Sequence, residues 1–136
     1  MRRIDCYRIK TLNEFDKNVD RFIERKRFKR LPEQIEGLEE SLEKGDFPGT
    51  LISRRTEPVP HEVYKLRLPN PNTKAGKSDG YRIYYIVVTE QRIVVLLTIY
   101  YKKEDEAVSD AYINGLIDGY FLEALPYEDD TEDLLE

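Results

Sequence analysis

The chain has 136 residues, enough for one domain, and its 22 Lys and Arg against 27 Asp and Glu give a formal net charge of −5. The N-terminus lacks an apolar signal segment, and no apolar run is long enough to span a bilayer, so we expect a cytoplasmic protein with no membrane partner. A single cysteine, Cys6, excludes an internal disulfide and a cysteine-based zinc cage, and we expect no metal or other cofactor.

The N-terminal part of the chain predicts an edge strand and two helices. Residues 3–10 mix polar and apolar types, as an edge strand does. Thr11 and Glu14 have the spacing of a capping box at the start of a helix whose apolar residues recur at helical intervals. Pro32 suits the first turn of a second helix, and Gly45 ends it. Two short joined helices are expected to pack as a hairpin against a sheet.

The remainder of the chain predicts further strands and a third helix. Strands are predicted at residues 50–53, 63–68, 81–89 and 92–101, and a helix at about residues 106–122. A tight turn at Glu90 and Gln91 joins the last two strands in an antiparallel hairpin, while the turn-rich residues 69–80 predict a long loop. The predicted fold class is therefore α+β, a small antiparallel sheet with an N-terminal helical hairpin and a C-terminal helix.

Two regions differ sharply in charge. Residues 123–136 carry seven acids and no Lys or Arg, which predicts a disordered acidic tail after a single domain at residues 1–122. Residues 64–103 instead hold eight bases and two acids. Because a local basic patch attracts phosphate even in an acidic protein, this segment predicts a nucleic-acid surface.

The spacing of the bases suggests how they converge. Lys65 and Arg67 lie two apart on a predicted strand and therefore share a face, although an ordinary solvated strand face is the competing interpretation. Arg82 opens the next strand, where antiparallel pairing would bring it beside them. Lys102 and Lys103 follow the most apolar strand, so three strands would deliver cations to one end or face of one sheet.

Such a cluster meets the needs of phosphodiester cleavage, because fixed Arg and Lys donors stabilise the extra negative charge of the transition state without a metal. Tyrosines are interleaved with these bases, and those that face the cations could stack on unpaired bases while the others pack in the core. Tyr100 and Tyr101 point to opposite faces, which predicts one in the core and one exposed, and Tyr101 is the candidate for RNA contact. His61 is either a proton-transfer group or a loop histidine that precedes a strand.

Three segments in this order resemble the RelE/HigB family of bacterial toxins: VYKLR at residues 63–67, GYRIYY at 80–85 and LTIYYKKE at 97–104. The resemblance implies a compact sheet flanked by helices, as in small microbial ribonucleases. It also implies a metal-independent endoribonuclease that cuts mRNA in the ribosome by attack of the ribose 2′-OH on the adjacent phosphate. The implied partners are the ribosome, mRNA and a cognate antitoxin, expected to be a small helix-turn-helix protein.

The resemblance also implies roles for individual residues. Lys65 matches the strand lysine that serves as general base, and Arg82 matches the arginine that stabilises the transition state. Lys102 or Lys103 falls where the family carries a basic residue near the leaving group, and Arg67 matches a position that holds phosphate.

Other positions extend this pattern or depart from it. Lys74 and Lys77, in the long loop, are predicted to grip RNA. A second strand lysine of some members is replaced by Val63, and the late catalytic tyrosine of some members has only Tyr112 or Tyr101 as counterparts. Two alternatives stay open on the same fold: a ParE-type gyrase poison that cuts no RNA, and a catalytically inactive regulatory member.

Overall fold

The computed structural model describes residues 6–73 and 79–124, and these form an α+β fold of three α-helices and five strands. The strands are β1 (Arg8–Thr11), β2 (Thr50–Arg55), β3 (His61–Leu68), β4 (Tyr81–Val88) and β5 (Ile93–Tyr101), and the helices are α1 (Asn13–Glu24), α2 (Leu31–Glu43) and α3 (Asp110–Ala124). The predicted fold class, with its N-terminal helical hairpin and C-terminal helix, is confirmed. None of these helices is long and apolar enough to cross a membrane.

The strands form one sheet in the order β1-β5-β4-β3-β2. Strands β2 to β5 are an antiparallel meander, but β1 runs parallel to β5, with Arg8 opposite Ile93 and Thr11 opposite Leu96. The sheet is therefore mixed, and the predicted antiparallel pairing holds for β2 to β5 but not for β1. A parallel neighbour requires a long connection, and here α1, α2 and three strands separate β1 from β5.

Helices α1 and α2 cover one face of the sheet, where aromatic and aliphatic residues together form the core. Phe22 and Leu42 from the helices are fully buried against Tyr81 and Tyr85 from β4. Burial of such large side chains is the main source of stability on this face, at roughly 25 cal/mol per Å² of apolar surface. The glycine that was predicted to end α2, Gly45, follows it with φ at +85°.

The start of α1 differs from its prediction. Thr11 belongs to β1, and its hydroxyl donates to Asp16 Oδ2 at 3.1 Å, while Leu12 precedes the helix without a side-chain cap. The predicted capping box between Thr11 and Glu14 is therefore wrong. Pairing of Thr11 with Leu96 in the sheet keeps it extended one residue too early to cap the helix.

Helix α3 covers the other face of the sheet. Its residues Ile113, Ile117 and Phe121 pack in a second core cluster with alternate residues of β3, β4 and β5. The helix begins at Asp110 rather than near residue 106, and it ends at Ala124, so two residues of the predicted tail are helical. The rest of that tail lies outside the described residues.

Candidate functional site

The register of three neighbouring strands brings the predicted cations together. Lys65 is opposite Tyr84, Arg67 is opposite Arg82, and Arg82 is in turn opposite Tyr100. Residues directly opposite in a sheet point to the same face. The structure therefore places Lys65, Arg67 and Arg82 together on the face that α3 covers, as the spacing predicts.

Lys65 lies against a pair of tyrosines. Its Nζ is 5.6 Å from the centroid of the Tyr84 ring, within the range of a cation–π interaction. Tyr84 and Tyr100 pack in the same cluster on this face, and burial raises the pKa of both phenols. Both are therefore protonated at neutral pH and can act as hydrogen-bond donors beside the lysine.

A cleft of about 370 Å³ opens beside Lys65, between the sheet and the start of α3. It is lined by Ile52, Ser53, Arg55, Val63, Lys65, Tyr84, Asp110, Ile113 and Asn114. Arg55 Nη2 donates to Asn114 Oδ1 at 2.5 Å, which fastens α3 to β2 at this point. The Asp110 carboxylate contributes to the raised pKa of Tyr84. The volume is at the lower end of the range of small-molecule sites, about 300–1,000 Å³.

Arg82 is held rigidly at the start of β4. Its side chain is only 2% exposed, and Nη1 donates to the Tyr81 carbonyl oxygen at 3.2 Å. The preceding residue, Gly80, allows the two strands to approach, since a Cβ there would lie 2.0 Å from the Leu68 carbonyl oxygen. A buried guanidinium requires polar partners, so the position of Arg82 is fixed by the strand ends around it.

Lys102 and Lys103 lie in the exposed turn that follows β5. The Lys102 N–H donates to the Gly80 carbonyl oxygen at 2.9 Å, which places the turn at the same end of the sheet as Arg82. Asp105 fixes the turn by accepting from the Tyr101 N–H at 2.9 Å. Neither lysine side chain forms a hydrogen bond or ion pair with the residues that the structure describes.

Tyr101 does not belong to this site. It is 2% exposed, and its ring packs against Phe28 at 5.3 Å, Tyr81 at 5.7 Å and Phe22 at 6.5 Å on the face that α1 and α2 cover. The prediction that Tyr101 contacts RNA is therefore wrong. The prediction that either Tyr100 or Tyr101 is exposed is also wrong, because α3 covers Tyr100, which is 6% exposed.

Two other candidate groups have structural partners. His61 opens β3, is buried, and donates from Nδ1 to the Val59 carbonyl oxygen at 2.8 Å. Its ring lies tilted against Phe121, with 4.9 Å between the ring centroids. The Tyr112 hydroxyl donates to Glu14 Oε2 at 2.7 Å, and burial together with that carboxylate raises the pKa of Tyr112 to about 12.

The loop candidates Lys74 and Lys77 lie outside the described residues, so the structure shows nothing of their RNA contacts. Within the described ranges, no group of three or more His, Cys, Asp and Glu residues is arranged to hold a metal ion. Asp110, Asn114 and Arg55 line the cleft although no sequence pattern indicated them. They come from α3 and β2, and only the packing of α3 on the sheet brings them to Lys65.

Comparisons with known proteins add a distant structural likeness. No protein-family model matches the chain, and no curated protein matches it. Among solved structures, the chain is similar to a chain in the crystal structure of the archaeal RelE–RelB complex from Pyrococcus horikoshii OT3. The identity is 18%, the alignment covers 74% of this chain and 99% of that chain, and the TM-score is 0.45.

Proposed function

We propose that this chain is the toxin of a toxin–antitoxin module, a metal-independent endoribonuclease that cuts mRNA on the ribosome and so inhibits translation. The observation that carries the proposal is the strand register that aligns Lys65, Arg67 and Arg82 on one face, beside a cleft of about 370 Å³. The ordered segments that resemble the RelE/HigB family support the same reaction. In this proposal residues 1–122 are the toxin domain, the protein works in the cytoplasm, and a small helix-turn-helix antitoxin restrains it.

The proposed reaction needs one base, one acid and stabilisation of a dianionic phosphorane. Lys65, acting through its neutral amine, takes the proton of the 2′-OH as the oxygen attacks phosphorus. Arg82 stabilises the charge that develops on the non-bridging oxygens. Lys102 or Lys103 donates a proton to the departing 5′-oxygen, and a 2′,3′-cyclic phosphate remains on the upstream fragment. The exposed Arg67 holds the neighbouring phosphate.

One observation favours the alternative, a binding protein that cuts nothing. Arg82 is 2% exposed and bonded to the Tyr81 carbonyl oxygen, an arrangement that holds the end of β4 whether or not RNA is bound. A ParE-type gyrase poison or an inactive regulatory member would use the fold in this way. Such a protein would bind its target without breaking RNA.

The test uses translating ribosomes with a defined mRNA and three proteins: wild type, Lys65→Ala and Lys10→Ala. Lys10 is an exposed lysine of β1, which is at the opposite edge of the sheet from β2, and it serves as the matched control. We expect cleavage by wild type and by Lys10→Ala, with cyclic-phosphate ends. We expect a rate lowered by about 10²–10⁴ in Lys65→Ala, the usual worth of a general base.

Thermal unfolding of each variant checks that the fold is intact. Equal cleavage rates for Lys65→Ala and wild type would show that Lys65 is not the general base. No cleavage by wild type above a protein-free control, with inhibition of gyrase supercoiling, would instead establish the binding-protein alternative.

A further inference from the structure

The turn between α1 and α2 is the most concentrated positive surface of the described chain. Its residues 25–30 contain no acid, and all of them except Phe28 are basic. The five exposed cations of this basic turn are Arg25, Lys26, Arg27, Lys29 and Arg30. They lie beyond the end of α1 at Glu24, so their role as counter-charges for the helix dipole, which acts within the last helical turn, is not sufficient to explain them.

Phe28 makes the basic turn rigid. It is 6% exposed, and its ring contacts Tyr101 at 5.3 Å and both Phe22 and Tyr81 at 6.0 Å. Its N–H donates to the Phe22 carbonyl oxygen at 3.0 Å. One buried aromatic ring therefore anchors the turn to the core and leaves the flanking cations on the surface.

The basic turn adjoins the end of the sheet that carries Arg82. Lys26 forms an ion pair with Glu104, directly after Lys102 and Lys103. The Arg30 N–H donates to Asn72 Oδ1 at 3.0 Å, which joins the turn to the loop that leads from β3. The basic turn therefore lies beside Lys102, Lys103 and the ends of β3 and β4. The acids that follow these lysines, Glu104 and Asp105, pair with Lys26 and Arg21.

Most of this charge has no partner within the described part of the chain. Arg25, Arg27 and Lys29 form no side-chain hydrogen bond or ion pair there, and neither do Lys102 and Lys103. Arg27 also has φ at +61°, a left-handed conformation that is unfavourable for a residue with a Cβ. Crowded, unpaired cations on a strained turn reduce stability, which indicates a binding partner of opposite charge.

We infer that the basic turn is a second RNA site that holds the phosphate backbone of double-helical RNA outside the cleft. The described exposed large apolar side chains are Ile52, Tyr112 and Leu122, and none lies on this surface. The surface therefore offers no aromatic ring for stacking on single strands and no apolar anchor for a bilayer. Cations alone suit a sequence-independent grip on an A-form backbone.

The inference rests on the proposed function only in taking RNA as the polyanion, so its test measures binding, not cleavage. The probe is a short RNA duplex with 2′-O-methyl riboses, which cannot be cut by 2′-OH attack. The variant is the triple substitution Arg25→Gln, Arg27→Gly and Lys29→Gln, in which glycine relieves the left-handed strain. The matched control is Arg8→Gln, Lys10→Gln and Lys44→Gln. These three exposed cations lie in β1 and at the end of α2 that is opposite to the basic turn.

Each phosphate contact that is lost lowers the salt dependence of log K by about one, so we expect the triple variant to lose about three from the slope and, at about 0.1 M salt, about 10²–10³-fold in affinity. The control should keep both values within error. Equal binding by variant and control, or tighter binding of wild type to anionic vesicles than to the duplex, would overturn the inference.

Failure of the proposed function has a different result. If the wild type cuts no mRNA but the triple variant binds the duplex more weakly than the wild type, the nuclease proposal is wrong and the second RNA site is supported. If the wild type cuts mRNA but the triple variant and the control bind the duplex equally, the nuclease proposal is supported and the second RNA site is wrong.

Discussion

The two faces of the sheet have opposite characters where β3, β4 and β5 end together. On the α1–α2 face, Tyr81 and Tyr101 pack into an aromatic cluster with Phe28. The residues next to these tyrosines in sequence, Arg82 on β4 and Tyr100 on β5, point to the α3 face. There they lie beside Lys65. Because neighbouring strand residues alternate between faces, the same short segments anchor the core and present the cations. Packing of Tyr81 and Tyr101 on the α1–α2 face thus fixes the positions of Arg82 and Tyr100 on the α3 face.

The largest expected effect tests which face carries more of the stability. Phe22→Ala should lower the free energy of unfolding by about 4–5 kcal/mol and Phe121→Ala by about 3 kcal/mol, the two ends of the range for a buried phenylalanine. Phe22 is 0% exposed between Phe28, Tyr81 and Tyr101, whereas Phe121 lies in the last turns of a terminal helix. Equilibrium urea unfolding measures both values. Equal losses would show that the two faces contribute alike.

A smaller effect is expected where the two faces are tied together. Tyr112→Phe removes the hydrogen bond from α3 to Glu14 of α1, at a cost of about 1 kcal/mol. The pKa of Tyr112 is raised from 10.0 to about 12 in the folded chain, so its contribution is complete below pH 10 and is lost as the pH rises through about 12.

The difference in urea midpoint between wild type and Tyr112→Phe should therefore be constant near neutral pH and shrink above pH 10. Titration of Tyr81 and Tyr85, whose pKa values are also raised by burial, affects both proteins equally and cancels in the comparison. A difference that grows with alkaline pH would contradict the assigned role of the hydroxyl.

The smallest expected effect concerns the cations themselves. Arg67 lies directly opposite Arg82, and like charges in that position destabilise a sheet. Arg67→Gln should therefore raise the free energy of unfolding by about 0.5 kcal/mol while it weakens RNA binding. Arg54→Gln is the control of opposite sign, since it breaks the ion pair with Glu62 at 3.1 Å. A destabilised Arg67→Gln would mean that the guanidinium serves the fold.

Local patterns predicted the parts of this structure that depend on local geometry. Alternation along residues 63–68 predicted the two faces of β3. The apolar run from Ile93 is typical of an interior strand, and β5 lies between β1 and β4. The convergence of Lys65, Arg67 and Arg82 followed from alternation and an antiparallel register alone.

Features that depend on distant packing were not predictable in this way. The parallel pairing of β1, the lining of the cleft by Asp110 and the burial of Tyr100 all result from where α1 and α3 settle on the sheet. The anchoring of the basic turn depends on distant packing in the same way, because it rests on the contacts of Phe28 with β4 and β5.

The parallel pairing of β1 with β5 has a consequence for synthesis of the chain. Residues Arg8–Thr11 leave the ribosome early, but their partners Ile93–Leu96 are made more than 80 residues later. The meander from β2 to β5 can form progressively from neighbours in sequence, whereas the edge strand must wait for the final strand. An incomplete chain that lacks β5 therefore has neither a paired β1 nor Tyr100 beside Lys65, so the arrangement around Lys65 is complete only after β5 has been made.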